Sequence, residues 1–434
     1  MSMHRSLAWV ALFFGLGCGV LSPPAAAIPV FARIYDKPCG TCHTVFPQLN
    51  PQGENFRAHG LHGLPPAVKP LPVGSFFDVP GTLPVALYFA GGEDVSTVDV
   101  PGRHDPTRTH LNPNFFSLLA GGEIGRHAAF LMDYRVIETE PDSGQTETYT
   151  VPYQAYVTLH GERWQWLGNL KAGWYELPLG VSAQIHRLSA RPYLIYGTNA
   201  CTLLSGARRY GDCEGQPTLG QPQIGVELSA LQPERGIGWA AGVTNGNDNH
   251  LNSTASKDLY LHLSQGFGLH HIGLLLFYSP DLIGHGVHDW TVRVGPDLDF
   301  YRREFRLLGQ FLAAYEADPT RRSQGLWYYG GFLEAEYRFT PTVLSLLRVD
   351  YAWTPRFDDR NEGGTTHVQR RLWEITGGWQ WLILQNLKLV AEVTYGENHE
   401  AEYDYTVTTW AGTLRLVTAF WPLAPAGPSR RAEE

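Results

Sequence analysis

Methionine is nearly missing from this 434-residue chain: there are three, and two of them, Met1 and Met3, open it. Thioether ligation of a metal therefore has only Met132 to draw on. Cysteine is scarce as well, at five, and no second CxxC pair exists to complete a four-ligand zinc site. Charged residues make up 17 % and the formal net charge is −9. No stretch supplies the basic patch that phosphate binding needs, so no nucleic-acid partner is expected. After the first twenty-odd residues no apolar run approaches the roughly 18 to 20 residues of a spanning helix. A phosphate-cradling glycine loop is absent, and no Ser/His/Asp or paired-carboxylate arrangement supports hydrolytic chemistry.

What the chain does have begins with Cys39-Gly40-Thr41-Cys42-His43. Two cysteines two residues apart, followed at once by histidine, read as a c-type haem attachment site. The thiols of Cys39 and Cys42 can add to the haem vinyl groups, and the His43 imidazole can reach the iron from the proximal side. A disulfide or half of a zinc site is the alternative. One covalent haem c is therefore the expected cofactor.

The opening residues read as an export signal over 1–27: His4 and Arg5 precede an apolar run from Leu7 to Leu21, and Ala25-Ala26-Ala27 offers a small-residue cleavage site. In an oxidising compartment Cys201 and Cys213 are expected to form a disulfide, two free thiols being the alternative. Residues 28–63 are compact and locally helical in character, with Asp36 as a possible N-cap of a haem-bearing helix. Pro47 and Pro51 limit any helix there, and Glu54 to His59 can form a second short one. So short a unit cannot bury enough apolar surface to fold alone, and it reads as a plug or cap. Residues 64–84 carry six prolines and read as a stiff, extended linker.

From there the pattern turns to period two. Leu347, Val349, Tyr351 and Trp353 alternate with Arg348, Asp350 and Ala352; Leu333, Ala335, Tyr337 and Phe339 alternate with Glu334, Glu336 and Arg338. Aromatics at 12 % and 47 glycines fit the same architecture. Sixteen strands are expected, starting near Leu83, Asn114, Arg126, Tyr149, Trp164, Pro222, Gly236, Ser256, His270, Val287, Glu304, Leu326, Thr342, His367, Asn386 and Tyr405. Tight turns follow the even ones. Long polar loops follow the odd ones, at Gly91 to Pro113, Pro178 to Gln221, Asn245 to Ala255, Thr354 to Thr366 and Gly396 to Asp404. That alternation predicts an all-β fold: a sixteen-stranded outer-membrane β-barrel over 85–421 with both termini periplasmic and a tail over 422–434. A large soluble all-β fold is the alternative.

With these residues in view, the chain resembles the fused cytochrome-porins of bacterial outer membranes. The resemblance is carried by Pro29, Phe31-Ala32-Arg33, Cys39, Cys42-His43, Phe46-Pro47, Leu49-Asn50, Gly53, Phe56 and Gly60, followed by a barrel of the expected size. It implies one haem c, a sixteen-stranded barrel in outer-membrane lipid, and electron transfer from an extracellular donor such as Fe²⁺ to a soluble periplasmic cytochrome. An iron oxidoreductase activity would follow. Family members often carry an aromatic where this chain has Leu61. For the sixth iron ligand, His59 and His62 are the candidates, near the motif and beside glycines. The alternatives are a lumen histidine such as His262 or a five-coordinate iron. Glu93, Asp94, Asp99, Glu138, Glu140, Asp142, Asp358, Asp359, Glu362, Glu400, Glu402 and Asp404 are expected in the outer loops, where oxygen ligands could hold Fe²⁺ or simply be solvated. Two rival functions stand beside electron transfer: a diffusion porin with a structural haem cap, and a periplasmic redox protein with a soluble β domain.

Overall fold

The structure, a computed structural model, describes residues 30–420 apart from 74–76, 105–106, 126, 140–145, 148–151, 162–167, 182–185, 204–217, 233–235, 247–255, 281, 284–286, 289, 320–324, 362–363 and 401–404. The expected signal (1–27), the tail, and the Cys201–Cys213 disulfide, through Cys213, lie outside the described residues.

Sixteen antiparallel strands close into a barrel. They are β1 (Val85–Val100), β2 (Arg108–Glu123), β3 (Ala128–Thr139), β4 (Gln154–His160), β5 (Asn169–Tyr175), β6 (Gln223–Gln232), β7 (Ile237–Thr244) and β8 (Asp258–Phe267). Then follow β9 (His270–Ser279), β10 (Thr291–Arg302), β11 (Phe305–Glu316), β12 (Leu326–Thr340), β13 (Val343–Asn361), β14 (Gly364–Leu384), β15 (Leu387–Glu400) and β16 (Tyr405–Phe420). Each strand pairs with its sequence neighbours, and β16 closes the ring on β1 from Phe420↔Leu87 to Thr408↔Asp99.

Alternation decides which way the wall faces. On β13, Leu347, Val349 and Tyr351 point outward and are 55 %, 45 % and 44 % exposed, while Arg348, Asp350 and Ala352 point inward and are fully buried. A soluble barrel hides its apolar face, so the opposite polarity here defines a wall made for an apolar exterior and a polar lumen. Trp327, Trp379, Trp381 and Trp410 stand on the same outer face.

The ends differ. After β8, β10, β12 and β14 the chain reverses within two residues, and both Val85 and Phe420 lie at this short-turn end. At the opposite end the expected loops at Gly91 to Pro113, Thr354 to Thr366 and Gly396 to Asp404 are largely strand. The hairpin arms keep pairing past the wall, β13 and β14 as far as Asn361↔Gly364. Glu93, Asp94, Asp99 and Glu400 are consequently strand residues. Asp94 is buried against Arg415 at 3.1 Å and Asn114 at 2.9 Å, and Glu400 pairs with Arg370. Polar sequence there marked strand rather than loop, because cross-strand partners satisfy it.

The linker also differs from expectation, since Leu71–Val73 pairs with Phe77–Val79 around Pro72, an unflanked two-strand ladder where a proline can sit. The N-terminal segment is a plug at the short-turn end, built from α1 (Val30–Tyr35), a single 3-10 turn (Cys39–Thr41), a two-rung ladder (His43–Val45 with Gln48–Leu49) and α2 (Pro51–Ala58). The segment after β5 does not hang outside. It crosses the lumen, carrying α3 (Leu194–Gly197) and α4 (Ala200–Leu203), and docks on the far wall.

Candidate functional site

The motif is held by α2 rather than by a helix of its own. Asp36 is not an N-cap: it ends α1 in a left-handed turn (φ 50°), and the motif follows as the single 3-10 turn. The reason is Asn50, whose side chain accepts from the amides of Gln52 and Gly53 (3.0 Å each) and donates to the carbonyls of Gly40 (3.2 Å) and Thr41 (3.1 Å). One residue thus caps α2 and clamps the turn between the two cysteines. Pro51 at the first helical position costs no hydrogen bond. Gly53 is required, since a Cβ there would overlap the carbonyl oxygen of Cys42.

His43 Nδ1 lies 3.0 Å from the Pro47 carbonyl oxygen, which can only accept. The proton therefore sits on Nδ1 and the Nε2 lone pair is available to a metal, the arrangement metal-binding histidines use. Burial lowers its pKa to about 4, with the nearby His186 adding to the effect, so the ring is neutral at physiological pH. Burial likewise raises both motif thiols.

The two cysteines and His43 open onto one apolar cavity of about 180 Å³. Its walls are Val30, Phe31 and Tyr35 of α1, Phe56 and Arg57 of α2, Phe46, Leu61 and Leu64, then Tyr88, Leu119, Leu131, Asp133 and Tyr156 from the barrel and His186 from the crossing segment. Edge-to-face contacts fix the aromatic part: Phe31 and Tyr35 each stand 5.6 Å from Phe56, and Phe46 bridges His43 (5.3 Å) and Tyr88 (5.1 Å). Lys37 lines the cavity too, as does Arg57, which is engaged with Glu54 at 3.0 and 2.7 Å. A second, more polar opening of about 480 Å³ reaches Cys39 and His43 from the short-turn end, past Glu304, Arg338, Thr340 and Gln385.

Side chains and backbone groups from around the ring hold the plug. Thr158 donates to the Gly60 carbonyl (2.7 Å), Asn169 to that of Ala58 (2.6 Å) and Arg306 to that of Leu49 (3.4 Å), while Gln48 bonds Glu336. Arg306 is itself forked onto Asp299 at 2.8 and 2.6 Å. The crossing segment is held in the same manner. Arg348 donates to the carbonyls of Arg191 and Pro192, both at 3.0 Å; Glu392 accepts from Ser189 Oγ at 2.9 Å; and Asp350 accepts from the Leu194 amide at 3.1 Å.

The other expected ligands stand elsewhere. His59 caps the end of α2 with Nδ1 2.7 Å from the Asn55 carbonyl, and His62 bonds the Gly60 carbonyl (2.9 Å) and stacks on His160. Neither lines the cavity that Cys39, Cys42 and His43 share. His262 is engaged with Asp297 at 2.8 Å. Met132 alternates away from its neighbours Leu131 and Asp133, both of which face the cavity. Sequence reasoning missed His186, because it lies far along the chain, in no motif, and reaches the site only through the crossing of the lumen.

The geometry defines a sixteen-stranded closed antiparallel barrel. Among solved structures, the chain is similar to the anion-selective porin from Comamonas acidovorans, at 13 % identity and a TM-score of 0.52 over 77 % of this chain and 99 % of the porin. It is similar to the outer-membrane channel DcaP of Acinetobacter baumannii, also at 13 %, with a TM-score of 0.50 over 77 % and 97 %. No protein-family model matches the sequence, and no curated protein aligns with it. The likeness is one of fold and concerns the barrel; the resemblance to fused cytochromes rests on the N-terminal residues alone.

Proposed function

We propose that the protein is a bacterial outer-membrane barrel that holds one covalent haem c in its plug and carries electrons from an extracellular donor, with Fe²⁺ the leading candidate, to a soluble periplasmic cytochrome. The observation that carries this reading is that Cys39, Cys42 and a correctly tautomerised His43 open onto one apolar cavity inside the barrel. The residues present suit the group: two thiols for its vinyls, a free Nε2 for its iron, an aromatic wall that excludes water, and Lys37 and Arg57 for its carboxylates. When bound, haem c supplies a one-electron couple, accepting the electron that leaves Fe²⁺ as it becomes Fe³⁺ and yielding it to the periplasmic cytochrome.

The ends of the barrel support the orientation this reading needs. Short turns on the side that carries both barrel termini are the periplasmic pattern, which puts the plug and its polar opening within reach of a soluble partner. The outward apolar wall argues against a soluble periplasmic β domain.

The second reading, a diffusion porin whose haem cap is structural, is favoured by the fold comparisons, since both neighbours are channels. Against it stands the lumen, which the plug and the crossing segment both occupy. One experiment divides the two. The purified oxidised protein in liposomes receives Fe²⁺ from outside without mediator, while the α-band of reduced haem c and the flux of a small sugar are followed together. Electron transfer predicts fast reduction and low flux; high flux with an iron-inert haem would establish the porin. Fast reduction by other external donors but not by Fe²⁺ would keep the conduit and remove iron as its donor.

A further inference from the structure

We propose that Glu334 and Glu336 of β12, together with Gln48 of the plug, bind one hard divalent cation at the seam between plug and wall. The inference stands whether or not a haem is attached. Glu334 and Glu336 alternate onto the same inward face, are 0 % and 1 % exposed, and hold their carboxyl groups within hydrogen-bonding reach of each other. Gln48, 4 % exposed, meets them from the plug and donates from Nε2 to Glu336 Oε1. Four acceptors are left over. Among the described residues no N–H or O–H comes within hydrogen-bonding distance of either carboxylate oxygen of Glu334, of Oε2 of Glu336 or of Oε1 of Gln48, and all four are shut off from solvent. Buried acceptors of this kind are costly unless something positive meets them.

The neighbouring side-chain cations are engaged elsewhere. Arg348 bonds Asp350 at 2.6 Å and stops 3.9 Å from Glu334, and Arg306 is forked onto Asp299 at 2.8 and 2.6 Å. Lys388 and Arg187 lie within reach of Glu392, the further carboxylate near Glu334. Each cation thus has a carboxylate of its own, and the two glutamates are left over. A proton shared between them would meet one oxygen on each, leaving the second Glu334 oxygen and Gln48 Oε1 without a partner. A divalent cation meets carboxylate and amide oxygens together and balances both charges. All-oxygen donors select a hard ion such as Ca²⁺ or Mg²⁺. Among the described residues no three His, Cys, Asp or Glu side chains gather as a metal group, so the third protein donor is the Gln48 amide, and two carboxylates with water in the remaining positions are ordinary for Mg²⁺. Because Gln48 belongs to the plug and the glutamates to the wall, the ion locks one to the other.

The test uses the full-length protein in detergent, stripped with EDTA and re-equilibrated with Mn²⁺ as the probe. Equilibrium dialysis with elemental analysis should find one Mn²⁺ per chain that is retained in high salt. Glu334→Gln/Glu336→Gln should lose it, and Glu397→Gln, away from the seam, should keep it. Gln48→Leu, which leaves the wall intact, should weaken binding, whereas Gln48→Glu, by adding a third carboxylate, should tighten it by about tenfold. Competition with Ca²⁺ and with Mg²⁺ identifies the preferred ion by the lower displacing concentration. With that ion at a hundred times its Kd, protection of the Val45 and Leu49 amides against exchange should rise by up to about a hundredfold in the parent and stay unchanged in the double variant. No retained Mn²⁺ in the parent overturns the proposal and leaves a shared proton as the neutralising charge. Equal binding by the parent, the double variant and both Gln48 variants overturns it as well.

Discussion

Arg348 ties the crossing segment to the wall, and removing it should open the lumen. Its guanidinium is fully buried, bonded to Asp350 at 2.6 Å and near Glu334 at 3.9 Å, and it donates to two carbonyls of the segment, Arg191 and Pro192, at 3.0 Å each. Arg348→Met has two effects that act differently. Stranding the carboxylates destabilises the wall by about 3 to 5 kcal/mol, but it does so whether the segment is docked or released. What distinguishes those states is the loss of the two carbonyl bonds and of the guanidinium's contact with the Tyr193 ring at 4.8 Å, and the bonds alone set the lower limit. Hydrogen bonds from a charged donor contribute about 1.5 kcal/mol each at the low end, together about 3 kcal/mol. At about 1.4 kcal/mol per tenfold, the docked-to-released ratio falls roughly a hundredfold. Single-channel recording in planar bilayers should show long blocked intervals in the parent and frequent large-conductance openings in the variant. Arg348→Lys, which keeps the charge but loses the fork, should fall between them. Blocked intervals that persist unchanged in Arg348→Met would refute the idea that this residue holds the segment in the lumen.

Three further outcomes concern the plug. Asn50→Ala removes both the cap of α2 and the clamp on Gly40 and Thr41, and should cost about 1 to 2 kcal/mol, read as faster hydrogen exchange of the α2 amides. Gly53→Ala should cost more than Asn50→Ala in the same measurement, because its Cβ meets backbone, the Cys42 carbonyl, and cannot be relieved by rotating a side chain. Glu54 gives a pH dependence. Burial alone pushes its carboxyl up, but Arg57, at 2.7 Å, with His186 and Arg306, outweighs that and holds it below the usual 4.5. The unfolded segment therefore binds the proton first as pH falls. The pair's stabilisation is complete above that usual value and is lost on acidification through the lowered one. The protection factors of the α2 amides, taken relative to the intrinsic exchange rate at each pH, should fall in acid, and Glu54→Gln should flatten the dependence.

The wall was almost wholly legible in the sequence. Every expected strand start falls within six residues of the observed one, and those at His270, Leu326 and Tyr405 coincide with it. The cause is that a lipid-type exterior and a charged interior impose period two on each strand independently, so local pattern carries the answer. Ends were less legible. Glu93, Asp94 and Asp99 read as loop because they are acidic, yet partners such as Asn114 and Arg415, remote in sequence, make Asp94 an inward strand residue. The site divides along the same line. Cys39, Cys42 and His43 are close in sequence, so spacing alone groups them; Tyr88, Tyr156 and His186 join the cavity they line by closure of the ring and by the crossing of the lumen, and no spacing records either event. His59 and His62 attracted attention through nearness in sequence, whereas a left-handed pair at Gly60 and Leu61 (φ 68° and 64°) turns that part of the chain onto Thr158 and Asn169.

The closure of β16 on β1 sets a timetable. The plug is gripped by Asn169 and Thr158 from strands made early and by Arg306 and Gln48's partner Glu336 from strands made later, so its seat does not exist until the ring has come round. Joining residues 87 and 420 is the most remote strand pairing among the described residues and among the slowest steps open to the chain. Cys42, meanwhile, faces only the inner cavity, with plug and wall around it. On the haem reading proposed above, a group to be attached at that thiol has a window that ends when the final seam is sewn. On that reading, any change that hastens closure should yield barrels that are well formed and permanently unloaded.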